Sequence, residues 1–155
     1  MGQTTFSGPV RSERGFTAVG SNAVVNITAE TTLTYAGHVG RIIEINDADG
    51  AVTLPTITSD TIGAKYTFFI GTDSTDCDIK TDGTDKFSGS LSVAGTTTAA
   101  FASDVSSNDV ISMNGTTTGG DKGSYVEITA IALAEYLVQG VLIGSGTVAT
   151  PFADS

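Results

Sequence analysis

Five aspartates, Asp73, Asp76, Asp78, Asp82 and Asp85, fall within thirteen residues, and carboxylates this close together could bind a hard cation such as calcium. Their spacing argues otherwise. An EF-hand loop needs alternating acids, a central glycine and a glutamate at the twelfth place, and here neither the glycine nor the glutamate is correctly placed. Turn residues on a solvated surface are the favoured reading, and no metal or other cofactor is expected. Glu127 and Glu135 are the only acids in the apolar stretch from Tyr125 to Gly144, and two carboxylates could in principle cleave a glycosidic bond, although spacing along the chain does not fix the separation that mechanism demands. Solvent-facing strand positions account for them more simply.

A serine triad would have to use His38, the single histidine, and no Gly-x-Ser-x-Gly elbow presents a nucleophile to it. His38 lies between Gly37 and Gly40, as expected of a bend between strands whose imidazole bonds to backbone. Cys77, the single cysteine, sits among aspartates, which disfavour the thiolate by like-charge repulsion. The glycine-rich segment Gly115 to Gly123 lacks the Gly-Lys-Ser/Thr ending of a phosphate loop. Eleven aromatic residues include no tryptophan, which weakens a reading based on stacking against sugars. The residues therefore predict a protein that is not an enzyme.

The elements that carry these residues follow from composition. Val, Ile and Thr make up 50 of 155 residues against 6 Leu, a β-branched excess suited to pleated, half-buried strands. A chain of this length forms one domain. The net charge of −10 would repel a phosphate backbone or an anionic membrane, so neither nucleic acid nor membrane is an expected partner. The first ten residues lack the basic start and apolar run of a signal peptide, which predicts synthesis in the host cytoplasm. Glu127, Glu135 and Gln139 interrupt the longest apolar stretch and argue against a membrane span.

Residues 1–20 carry a net charge of +1 and residues 21–155 a net charge of −11. The opening segment, with glycines between isolated apolar residues, reads as an extended arm. Phe6, Arg11, Arg14 and Phe16 are residue types that anchor well in interfaces. Residues 21–145 read as a β body and 146–155 as a tail. Short β-type runs recur at 23–28, 31–35, 40–45, 51–54, 65–70, 78–81, 90–93 and 110–113, the rhythm of an antiparallel sandwich or a jelly-roll-like barrel. Tyr66, Phe68 and Ile70 share one face of their run, and Phe68 and Phe69 point to opposite sides. Asp49-Gly50 and Asp82-Gly83 mark two hairpin turns. The stretch 125–139 suits a helix capped by Gly140, but its β-branched and aromatic start favours a hairpin bending at Leu133-Ala134-Glu135. Thr96 to Thr98 and Gly115 to Gly120 read as surface loops or hairpin tips.

Thr4 to Ser12, then Gly15-Phe16, followed by a threonine-rich β body containing Gly83 to Gly89, resembles small virion proteins of tailed bacteriophages, particularly those of marine bacteria. Gly123 to Ile131 and Glu135 to Gly140 look like the last two strands of β modules in their capsid decoration proteins and fibres. The resemblance implies a decoration, or cement, protein on the outer surface of the head, forming a homotrimer and clamping copies of the major capsid protein. Phe6 and Phe16 would fill apolar depressions of the shell, and Arg11 and Arg14 would meet its carboxylates. The alternative is a receptor- or carbohydrate-binding module of a fibre or tail, contacting host glycans through the Thr-rich loops.

Overall fold

The computed structural model describes residues 19–20 and 22–155. Phe6, Arg11, Arg14 and Phe16 lie outside the described residues. The body is an all-β sandwich, as expected, but its two sheets are mixed. Five of the ten strand pairings among the described residues are parallel, which corrects the antiparallel expectation.

The first half of the body coils. Strand β1 (Val24–Ile27) lies in the large sheet and β2 (Thr31–Thr32) in the small one. A single helical turn, α1 (Tyr35–His38), leads back to β3 (Ile42–Ile45) in the large sheet. The chain crosses again to β4 (Ala51–Thr53), returns to β5 (Lys65–Ile70) and crosses to β6 (Cys77–Lys80). Strands of successive circuits therefore pair in parallel, β1 with β3 and β3 with β5 on one side, β2 with β4 and β4 with β6 on the other. Parallel neighbours need a long return connection, and here the strand in the opposite sheet supplies it.

The second half closes this coil. β7 (Lys86–Ala94) and β8 (Thr98–Ala102) form a hairpin, and β9 (Val110–Met113) pairs antiparallel with β6. β10 (Tyr125–Ala132) pairs with β5 and turns through Leu133-Ala134 into β11 (Glu135–Ile143), which lies parallel to β7. β12 (Phe152–Ala153) borders β9. The large sheet runs β1-β3-β5-β10-β11-β7-β8 and the small one β12-β9-β6-β4-β2.

The hairpin reading of 125–139 holds, and its tight turn puts Ala134 at φ +60°. The two signposted hairpins are corrected. Asp49-Gly50 precedes β4 and Asp82-Gly83 precedes β7, and both turns carry the chain from one sheet to the other. A turn that reverses the backbone serves a sheet corner as well as a hairpin, so local turn chemistry does not choose between them. Thr96 and Thr97 lie at the β7–β8 tip, as read, and Thr98 opens β8. The 115–120 loop is pinned, with Thr116 and Thr117 carbonyls accepting from the amides of Gly146 and Ala149. Residues 146–155, set apart as a tail, pack onto the body, where Phe152 is buried.

Alternation fills the space between the sheets. Ile43, Ile45, Tyr66, Phe68, Ile70, Val126, Ile128, Phe87, Leu91 and Val138 project inward from the large sheet, and Val52, Cys77, Ile79, Ile111 and Met113 from the small one. Each large apolar side chain so buried contributes about 1.5–3 kcal/mol. The Tyr66 and Tyr136 rings meet edge-on with centroids 6.5 Å apart.

Candidate functional site

On the outer side of the large sheet, strand registers assemble a surface that is unusually apolar. Glu44, Phe69, Tyr125 and Val141 form one row across β3, β5, β10 and β11, and Ile42, Thr67, Glu127 and Gln139 form the next. Val24, Ile42, Tyr125 and Val141 are each 40–47% exposed. A strand with one solvated face normally alternates apolar and polar residues, yet β3 carries isoleucine on both faces, with Ile43 buried and Ile42 at the surface. Val24, Ile42, Glu44, Thr67, Phe69 and Tyr125 line a shallow depression of about 330 Å³. Further along β11, Leu137 and Ile143 extend the exposed apolar strip. Contiguous exposed apolar surface of this kind marks binding faces.

A polar cluster borders the depression. Lys65 Nζ is ion-paired with Glu127, and Gln139 Nε2 donates to Glu127 Oε2 at 2.9 Å. Lys65, then Tyr125 and Gln139, hold the Glu127 carboxyl down at about 2. An acid so firmly ionised does not donate a proton near neutral pH. Glu135 pairs with Ala132 at the far end of the hairpin, five residues along β10 from Glu127. That is roughly 17 Å at 3.4 Å per residue, well beyond the separation of a glycosidase pair.

Three of the five aspartates are engaged in structural bonds, while Asp78 Oδ1 is buried with no hydrogen-bond partner among the described residues. Asp73 accepts from the Lys122 amide at 2.7 Å, Asp82 from the Thr56 hydroxyl at 2.5 Å, and the buried Asp85 from the Ile57 amide at 2.8 Å. Burial raises the Asp85 carboxyl. Burial acts the same way on Asp82, but the Thr56 hydroxyl and the amides of Asp85 and Thr84 outweigh it and lower that group. Among the described residues no three His, Cys, Asp or Glu side chains converge as a metal site. His38 Nδ1 accepts from the Thr34 amide at 3.0 Å, the backbone contact expected of it. Cys77 is fully buried, and burial, reinforced by Asp78 and Asp47, pushes its thiol up to about 12.

No protein-family model, no curated protein and no solved structure matches this chain.

The apolar strip itself was only partly visible beforehand. The outward placement of Phe69 was legible from its adjacency to Phe68, but the row joining it to Tyr125 and Val141 depends on pairings between residues 56 and 16 positions apart. A second unforeseen group is a clamp at the end of the body. Lys86 Nζ donates to the buried Asp109 at 2.7 Å, and Asp109 accepts from the Ser155 amide at 2.9 Å. Burial opposes ionisation of Asp109, but Lys86 and Ser155 hold its carboxyl below the usual range.

Proposed function

We propose that this protein is a capsid decoration protein of a tailed phage, binding the outer surface of the head and stabilising contacts between shell subunits. One observation carries the reading. The body displays an apolar strip on the large sheet beside the place where residues 1–18 join it, while Asp73, Asp82, Asp85 and Glu127 are engaged in structural bonds. Phe6, Arg11, Arg14 and Phe16 supply the capsid contacts, and the β11 end of the strip, with Leu137, Val141 and Ile143, supplies the face for self-association as a trimer. Weak contacts suffice for such a protein, because repetition over a lattice multiplies them through avidity.

The glycan-binding alternative rests on the Thr-rich loops at 96–98 and 115–120, and in the second of these several polar groups bond within the loop. Asn114 Oδ1 accepts from the Thr116 hydroxyl, and Asn114 Nδ2 donates to the Thr117 hydroxyl, so these groups are already engaged. Titrating purified heads and host envelopes in parallel separates the readings. The decoration role predicts saturation at a fixed ratio to shell subunits, and loss of binding in the full-length Phe6→Ser/Arg11→Ala/Arg14→Ala/Phe16→Ser variant. Saturable binding to envelopes with none to heads would overturn it.

A further inference from the structure

Three depressions lie end to end on the outer side of the large sheet. The first is lined by Val19, Asn22, Ala23 and Arg41, and it shares Ala23 and Arg41 with the second. The second shares Ile42 and Thr67 with the third, which ends at Phe69 and Tyr125. This track starts at Val19, where the undescribed residues 1–18 join the body, and crosses β3 and β5 to reach β10.

We propose that in the unassembled protein this track is occupied by residues 1–18 of the same chain, with the Phe16 side chain seated against Phe69 and Tyr125. Length fits. Phe69 lies two strand spacings across from β1 and level with Asn26, three residues along from Ala23, to which Gly20 is bonded, roughly 14 Å in all, and the four residues from Gly20 back to Phe16 span about 13–14 Å when extended. Chemistry fits as well. The terminal depression is lined by Val24, Ile42, Phe69 and Tyr125 with Thr67 and the carboxylate-bearing Glu44, and the segment brings Phe16 with Arg14 two residues before it. The first two depressions carry Arg41 and Lys65, of which Lys65 is ion-paired with Glu127, so the charge complement to Arg14 lies at Glu44. A tether this short holds the ring at an effective concentration on the order of millimolar, which favours the same chain over a neighbour's. Such a latch shields the aromatic end of the strip until a competing surface withdraws the arm. It concerns the free protein and holds whatever the arm finally grips.

The test is a cysteine pair in the full chain, Phe16→Cys with Phe69→Cys, oxidised mildly at low micromolar protein. Cys77 is buried and does not compete. The control pair is Phe16→Cys with Val105→Cys. Val105 is exposed and follows β8, six strand spacings from β1, roughly 29 Å and out of reach of the tether. The latch predicts an intrachain disulfide forming at least tenfold faster than in the control. Formation no faster than the control, or a disulfide linking two chains, overturns it. A full-length Phe16→Ala protein, compared by NMR with the parent, reads the same contact without new cysteines. Shifts confined to Ile42, Phe69 and Tyr125 support the latch, and unchanged signals there overturn it. Both readouts use the protein alone, so a latch without capsid binding, or capsid binding without a latch, is separately visible.

Discussion

The Tyr136 hydroxyl donates to the Pro55 carbonyl at 2.5 Å, joining β11 to the segment after β4 across 81 residues of chain. Tyr136 is 2% exposed, and burial, with Tyr66 and Asp85 nearby, raises its hydroxyl well above the ordinary value. The bond fastens the second half of the body to the coiled first half. Tyr136→Phe keeps the ring and strands the Pro55 carbonyl, so the expected loss is about 1–2 kcal/mol. Urea unfolding checks this as a lower midpoint at unchanged slope.

Gly89 and Gly83 both have positive φ but predict different outcomes. A Cβ at Gly89, φ +141°, would lie 2.1 Å from the Val138 carbonyl oxygen on β11, whereas one at Gly83, φ +87°, meets nothing closer than Ser155 Oγ at 3.9 Å. Gly83→Ala costs only the left-handed backbone, about 1–2 kcal/mol. Gly89→Ala must also push β7 away from its paired neighbour β11, and should cost more than about 3 kcal/mol or prevent folding. Thermal unfolding of the two variants side by side checks the order.

Glu127 links stability to acid. Its folded carboxyl titrates at about 2 against an ordinary 4.5, so the folded state binds this proton less readily than the unfolded chain. The contribution is complete above about pH 4.5 and fades as pH falls toward 2. Glu127 is near the surface, so solvent screening keeps the effect small. Glu127→Gln should therefore lower the melting temperature slightly at pH 6 and leave it unchanged near pH 2.

Cys77 reports global opening. Fully buried, with its thiol pushed up to about 12, it should resist a thiol reagent at pH 8 in the native protein and react completely in denaturant. Labelling under native conditions should follow the unfolding equilibrium, and rapid native labelling would contradict this placement.

Much of the strand pattern was legible in sequence, for physical reasons. Lys65–Ile70 alternates Tyr66, Phe68 and Ile70 inward, and this run and Val110–Met113 coincide with their strands residue for residue. Of β8 only Thr98 falls within the tip expected at 96–98, and residues 99–102 give no strand signal because their alanines carry little β propensity. Sheet membership was hidden, since Asp-Gly fixes a backbone reversal and not its destination. Of the candidate site, Phe69 was placed correctly, while its row with Tyr125 and Val141 awaited strand pairing. The Lys86–Asp109–Ser155 clamp joins residues 23 and 46 positions apart, beyond any local pattern.

Imaging tailed-phage heads, with and without the protein added, tests the proposed decoration role most directly. The account predicts extra density at regularly repeated sites on the outer shell, restored by the parent protein and absent with the Phe6→Ser/Arg11→Ala/Arg14→Ala/Phe16→Ser variant. Density confined to the tail, or heads unchanged by saturating protein, would contradict it.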